Sequence, residues 1–122
     1  MRSAVHVRSS GSVKIISLDV ETVRSRLMQA ARALKSEDSE VLSVWLFGSL
    51  ARGDSLPGSD ADLLIVLEGS DRPFHSRIDR YADRFAGIGI GIDLFPVTVS
   101  ELNERVSDPF WRKVLAERQR LA

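Results

Sequence analysis

The chain has 122 residues, of which 43% are hydrophobic and 28% charged, the composition of one folded domain rather than of a disordered or fibrous segment. Seventeen basic and seventeen acidic side chains cancel, so no overall field favours nucleic acid or an anionic membrane as partner. Cysteine is absent, which excludes disulfides and thiolate metal sites. No apolar run approaches the roughly 20 residues of a membrane span, and the start lacks the apolar core of a signal peptide. We therefore expect a cytoplasmic protein without a membrane partner.

The chain begins with a flank and a helix. Residues 1–18 are mixed in character, and the β-branched run 13–16 is typical of an edge strand. Asp19 can cap a helix, and apolar residues then recur at helical spacing as far as Leu34. Three basic side chains of this helix are expected to face solvent, namely Arg24, Arg26 and Lys35.

The rest of the chain alternates between predicted strands and helices. The sequence predicts a strand 41–47, a loop 53–59, a strand entered through Asp60-Ala61-Asp62, a helix 74–85, a strand 90–98, a helical turn 102–106 and a last helix from Asp108 to Leu121. The loop allows the first two strands to lie antiparallel, whereas the helix between the second and third makes a parallel crossover the default. We expect an α/β (α+β) fold with a small mixed sheet, helices packed against it, and a single domain over residues 19–122.

This topology brings polar residues to one edge of the sheet. Antiparallel pairing places the end of the first strand, Gly48-Ser49, beside the start of the second, which carries Asp60 and Asp62. Parallel pairing of the third strand brings Asp93 to the same edge. The sequence therefore predicts that three carboxylates and a Gly-Ser turn converge.

These residue types suit a metal-assisted reaction on phosphates. Asp60 and Asp62 are two apart on a strand, so both side chains point to one face and repel unless a cation lies between them. Hard oxygen ligands suit Mg²⁺, which prefers carboxylates together with substrate phosphates. Asp93 supplies a third oxygen, enough for two metal ions about 3.5 to 4 Å apart. At Gly48 the backbone can approach a phosphate, and Ser49 offers a hydroxyl and an N–H.

The same residues resemble the signature of a known superfamily. The matching segments are Phe47-Gly48-Ser49-Leu50-Ala51-Arg52-Gly53 and Ser59-Asp60-Ala61-Asp62-Leu63-Leu64. They resemble those of the DNA polymerase β-like nucleotidyltransferases. The ten residues between Ser49 and Asp60 match the spacing of the minimal nucleotidyltransferases, a group that includes the antitoxins of HEPN/MNT toxin–antitoxin pairs. The resemblance covers residues 41–98, in which Ile92-Asp93-Leu94 is similar to the family's third-carboxylate strand.

The resemblance implies a polymerase β-like palm and a role for each site residue. Asp60 and Asp62 are expected to bind both Mg²⁺ ions, and Asp93 to bind one and to help deprotonate the attacking hydroxyl. The nucleoside triphosphate is expected to bind at Gly48, Ser49, Arg52, Gly53 and Ser59. The sequence departs from the pattern at Leu50, where many relatives have a basic residue, so one phosphate contact is in doubt.

The activity implied is transfer of a nucleoside monophosphate, expected to be AMP from ATP, to a hydroxyl, with pyrophosphate leaving. The expected acceptor is a tyrosine of a HEPN-type toxin. Two alternatives stay open: an antitoxin that neutralises by contact while its site is idle, and a small-molecule enzyme such as an aminoglycoside nucleotidyltransferase. Some glycosyltransferases also use an Asp-x-Asp motif, but a glycosyltransferase site would not explain the Gly48-Ser49 turn. The base preference and a homo-oligomeric state stay open as well.

Overall fold

Six strands and five α-helices follow one another in the computed structural model, which describes residues 5–10, 13–56 and 58–122, with side chains from residue 19 onward. The strands are β1 (Val5–Ser10), β2 (Val13–Leu18), β3 (Val41–Phe47), β4 (Ala61–Leu67), β5 (Ile92–Thr98) and β6 (Gln119–Arg120). The helices are α1 (Val20–Glu37), α2 (Ser49–Arg52), α3 (Phe74–Ala82), α4 (Val99–Glu104) and α5 (Pro109–Glu117), with a 3₁₀ turn at Asp83–Phe85.

The strands form two sheets. A four-stranded sheet has the order β5-β4-β3-β6, in which β3 and β4 are antiparallel and β4 and β5 are parallel. This confirms the expected mixed α/β sheet and both pairing directions. β1 and β2 pair antiparallel in a separate two-stranded sheet, so the strand expected near residues 13–16 has its partner in β1. Residues 1–4 and 11–12 of the predicted flank lie outside the described residues.

α1 begins where the sequence places it. The Asp19 side chain caps the helix by accepting from the backbone N–H of Thr22 at 3.2 Å. Every third or fourth residue from Val23 to Leu34 is buried against the sheet. The expectation that Arg24 and Arg26 face solvent is wrong in part, because their guanidinium groups donate to backbone carbonyls of neighbouring elements. Within the described ranges, no helix is long and apolar enough to cross a membrane.

Alternating residues of the four-stranded sheet face two different helix layers. On β4, Leu63 and Ile65 pack in a core cluster with α1 and α3, whereas Leu64 packs in a second cluster with α5. Each of these side chains is fully buried, and burial of one such side chain stabilises the fold by about 1.5 to 3 kcal/mol. Because Asp62 lies two positions before Leu64, it belongs to the face that α5 covers.

Two predicted elements differ from the structure near the C-terminal end. α4 begins at Val99 rather than at residue 102, because the Thr98 hydroxyl accepts from the Glu101 backbone N–H and the Glu101 carboxylate accepts from that of Thr98. The last helix ends at Glu117. Leu121 therefore follows β6, which pairs with β3 at the sheet edge, and is buried in the α1 layer.

Candidate functional site

Strand register brings the predicted carboxylates to one edge of the sheet. Asp62 is the partner of Phe47 on β3 and of Asp93 on β5. Asp60 lies directly before β4 rather than within it, and its carboxylate is close enough to Asp62 to raise the pKa of that group. Gly48 follows Phe47, so the Gly-Ser turn borders the same edge. The predicted convergence is therefore present.

Two glycines allow the carboxylates to approach the neighbouring strands. Gly48 has φ 79° and ψ −157°, a conformation restricted almost entirely to glycine. A Cβ atom at Gly48 would lie 3.1 Å from the carboxyl carbon of Asp62, and one at Gly91 would lie 2.9 Å from that of Asp60. Both positions therefore require a residue without a side chain. Sequence reasoning recognised Gly48 but missed Gly91.

The surroundings of Asp62 disfavour its ionised form. Burial raises the pKa of the half-buried Asp62 carboxyl, and the negative charges of Asp93 and Asp60 raise it further. Arg52 opposes this shift and Glu117 adds to it. A cation placed among these groups would favour the ionised state, and carboxylate oxygens are the ligands that Mg²⁺ prefers, so the donor set fits that ion. Among the described residues, no three acidic, His or Cys side chains already stand in a metal-binding arrangement.

α2 and the following loop hold the predicted phosphate-binding residues. Ser49 begins α2, as expected, and Gly53 ends it in the left-handed conformation. The guanidinium group of Arg52 donates to Asp54 at 3.1 Å and also pairs with Glu117. The Ser59 hydroxyl accepts from the Leu56 backbone N–H at 2.9 Å, so in this structure Ser59 closes the loop.

Glu117 is a site residue that sequence reasoning missed. It is the last residue of α5, and its Oε1 accepts from the Gly48 backbone N–H at 3.2 Å. The same carboxylate accepts from Arg52 Nη1 at 3.0 and 3.3 Å. No motif contains Glu117, and it lies 69 positions after Gly48 in the chain, so only the fold could reveal this contact.

A cavity of about 300 Å³ lies between the Gly-Ser turn and α5. It is lined by Phe47, Gly48, Ser49, Arg52, Asp62, Phe110, Lys113, Val114 and Glu117. The α5 members recur every three or four residues and so form one face of the helix. Phe110 is 47% exposed, and its ring meets that of Phe47 edge to face, with 6.3 Å between ring centroids. The cavity therefore joins an exposed aromatic ring to the carboxylate edge.

Comparisons with known proteins identify the family and two similar structures. The model of the nucleotidyltransferase domain family matches residues 27–118. A candidate nucleotidyltransferase from Sulfolobus solfataricus has a similar structure, with a TM-score of 0.60, 22% identity and 83% of each chain covered. A chain from the crystal structure of a toxin–antitoxin with AMP-PNP gives a TM-score of 0.52 at 16% identity, covering 81% of this chain and 72% of that chain. No curated protein sequence matches.

Proposed function

This chain belongs to the nucleotidyltransferase domain family, and from that premise we propose that it transfers a nucleoside monophosphate, AMP from ATP, to a protein hydroxyl. Its site is the edge formed by Asp60, Asp62, Asp93 and the Gly48-Ser49 turn. The structural neighbours share the fold expected for such a domain.

The observation that carries the proposal is the position of Asp62 between two partners. Asp62 lies beside Asp93 on one neighbouring strand and against Gly48 at the end of the other. A carboxylate pair and a glycine turn at one cavity suit a metal-bound triphosphate, since carboxylates hold the cation and backbone N–H groups hold phosphate oxygens. A cluster of like charges around the half-buried Asp62 has no comparable role in stability, because neighbouring carboxylates without a cation repel one another.

Asp60, Asp62 and Asp93 would hold Mg²⁺, as one or two ions. When bound, Mg²⁺ neutralises triphosphate charge and polarises the transferred phosphoryl group. The acceptor oxygen forms a bond to the α-phosphorus while the bond from that phosphorus to the bridging oxygen of pyrophosphate breaks. Asp93 would also help to take the acceptor proton, and its exposure at the edge of the sheet is consistent with access for an acceptor. Gly48 and Ser49 would orient the β- and γ-phosphates for in-line displacement.

The proposed acceptor is a tyrosine hydroxyl of a HEPN-type toxin. Two facts support a toxin as partner: the resemblance to minimal nucleotidyltransferases of toxin–antitoxin pairs, and the structural neighbour that is a toxin–antitoxin crystallised with AMP-PNP. A protein acceptor is also consistent with the exposed position of Asp93, to which a partner's side chain could be presented. The protein would then act as an antitoxin by modifying its partner.

A second candidate function is neutralisation of a toxin by contact alone. It draws on the same toxin–antitoxin neighbour. In that case the carboxylate edge would not take part in protection. Co-expression with a HEPN-type toxin distinguishes the two: the double variant Asp60→Asn/Asp62→Asn loses protection if transfer is required and keeps it if contact suffices.

The direct test is label transfer. The purified protein is incubated with each α-labelled nucleoside triphosphate, Mg²⁺ and a HEPN-type toxin, and labelled toxin is measured. The expected result is labelling with ATP that disappears in the Asp60→Asn/Asp62→Asn variant and on chelation of the metal. Asp71→Asn is the matched control, since Asp71 is exposed and lies outside the site. Failure of any acceptor to be labelled, together with no binding of nucleoside triphosphates, would refute transfer.

A further inference from the structure

We propose that Glu117 is an internal anion that occupies the phosphate-binding groups of the nucleotide-free protein, and that a nucleoside triphosphate binds by displacing it. The inference rests on the proposed function, because it names the Gly48 turn as the place where phosphate binds. It assigns to a residue outside the signature a direct effect on nucleotide affinity.

Glu117 makes the contacts that a phosphate group would make. Its Oε1 accepts from the Gly48 backbone N–H at 3.2 Å. Arg52 Nη1 donates to both carboxylate oxygens, to Oε1 at 3.0 Å and to Oε2 at 3.3 Å. Backbone N–H groups at glycine turns and arginine guanidinium groups are the donors that proteins use for phosphate oxygens. An acidic side chain that bonds to both therefore stands in for an anionic ligand.

The position of Glu117 is unfavourable apart from these two contacts. Glu117 is the last residue of α5, where the negative end of the helix dipole disfavours a carboxylate. It also lies close enough to Asp62 to disfavour the ionised form of that group. The side chain is only 17% exposed, so hydration stabilises its negative charge only weakly. Gly48 and Arg52 are thus what hold the carboxylate in the cavity.

A triphosphate and Glu117 cannot share these donors without crowding like charges. The Gly48 N–H has one hydrogen to give, and Glu117 accepts it. Phosphate oxygens brought to Gly48 would lie beside the Glu117 carboxylate and be repelled by it. Rotation about the bonds of the glutamate side chain would move the carboxylate towards solvent and release both donors. Glu117 therefore lowers nucleotide affinity while it stabilises the nucleotide-free turn.

A purely structural role for the Glu117 contacts predicts the opposite effect on binding. If the carboxylate only anchors the end of α5 to the turn, its removal loosens the turn and weakens nucleotide binding. If it competes with phosphate, removal of its charge strengthens binding even though the fold loses an ion pair. Affinity and thermal stability then change in opposite directions, which a structural role does not produce.

The experiment measures the Kd of AMP-PNP with Mg²⁺ by calorimetry for the wild type, Glu117→Gln and Glu117→Ala. We expect both variants to bind about three- to tenfold more tightly than the wild type while their Tm falls, since a competing charge-assisted contact is removed. Glu104→Gln is the control: it removes the same charge at an exposed residue of α4, at the other end of the sheet. Affinity that is unchanged or weaker in both Glu117 variants overturns the inference.

Label transfer separates failure of this inference from failure of the proposed function. Tighter binding in the Glu117 variants without any label transfer supports the inference and counts against the transferase. Label transfer by the wild type without tighter binding in the variants overturns the inference alone. Absence of AMP-PNP binding in all the proteins, variants included, overturns the inference, because the released donors would then have no phosphate to hold.

Discussion

The carboxyl carbon of Asp62 lies 3.1 Å from the position that a Cβ atom on Gly48 would occupy. The carboxylate on β4 and the turn after β3 therefore fit together only because residue 48 has no side chain. The antiparallel register that pairs Asp62 with Phe47 sets this distance. The proposed phosphate-binding turn and the proposed metal site are thus one structural unit, and a change in one should disturb the other.

Gly48→Ala should destabilise the protein by about 2 to 4 kcal/mol, because a strained backbone of about 1 to 3 kcal/mol adds to the clash with Asp62. Binding of AMP-PNP should be lost as well. Urea unfolding and calorimetry measure the two effects. Gly87→Ala is the control, since Gly87 has φ 80° but its added Cβ would meet nothing within 4 Å. Gly87→Ala should lower the free energy of unfolding only by the backbone strain. Equal losses of stability in Gly48→Ala and Gly87→Ala would show that the contact with Asp62 is unimportant.

Asp62→Asn should lower label transfer at least about 100-fold, because it removes a charge that holds Mg²⁺ in the proposed reaction. It should not lower the Tm in metal-free buffer. Burial and the neighbouring carboxylates raise the pKa of Asp62, so its ionised form opposes folding at neutral pH and a neutral side chain relieves that cost. Asp71→Asn should change neither quantity. A clear fall in Tm for Asp62→Asn would show that Asp62 has a structural role.

The ion pair between Arg77 and Glu101 should make stability depend on acid pH. Hydrogen bonds from the buried Arg77 lower the pKa of Glu101 to about 2 from 4.5. The pKa of Glu101 is lower in the folded state than in the unfolded state. The stabilisation that its charge gives the fold is therefore complete above pH 4.5 and is lost as the pH falls towards about 2. Glu101→Gln should therefore cost about 2 to 3 kcal/mol at neutral pH, because Arg77 stays buried without its partner charge.

Urea unfolding of the wild type and of Glu101→Gln, measured from neutral pH down to pH 2, checks this. The difference in free energy of unfolding between the wild type and Glu101→Gln should shrink as the pH falls from 4.5 towards about 2. Glu104→Gln on the same helix should cost less than about 0.5 kcal/mol, as expected for an exposed position. A difference that stays constant with pH would mean that the charge of Glu101 does not stabilise the fold.

Phe110→Ala should weaken AMP-PNP binding about 5- to 140-fold, because stacking of a base on an aromatic ring contributes about 1 to 3 kcal/mol. The exposed Phe110 ring lines the cavity that contains Gly48 and Asp62, within reach of a nucleotide whose phosphates lie at the turn. Phe110→Trp should retain affinity. Val106→Ala, which truncates another exposed apolar side chain outside this cavity, should leave Kd unchanged. Equal affinity of Phe110→Ala and the wild type would place the base elsewhere.

Much of the fold could be predicted because its signals are local. The bounds of β3, the start of α1 at its Asp19 cap and the start of α5 after Asp108 follow from hydrophobic runs and capping residues read over a few positions. The Thr98-Glu101 capping box was equally local, and the start of α4 could have been found from it. β6 could not, since a strand of two residues has no periodicity and exists only through its partner β3.

The sequence by itself indicated which residues carry the proposed chemistry, because the Gly48-Ser49 turn and the Asp60 and Asp62 pair lie at the two ends of the connection between consecutive strands, whose antiparallel pairing follows from chain order. Only the tertiary structure decided what surrounds them. Packing of α5 on the sheet brings Phe110 to the cavity and Glu117 to Gly48. Such contacts join residues far apart in the chain and depend on the rotation of a whole helix against a sheet, which no local pattern specifies.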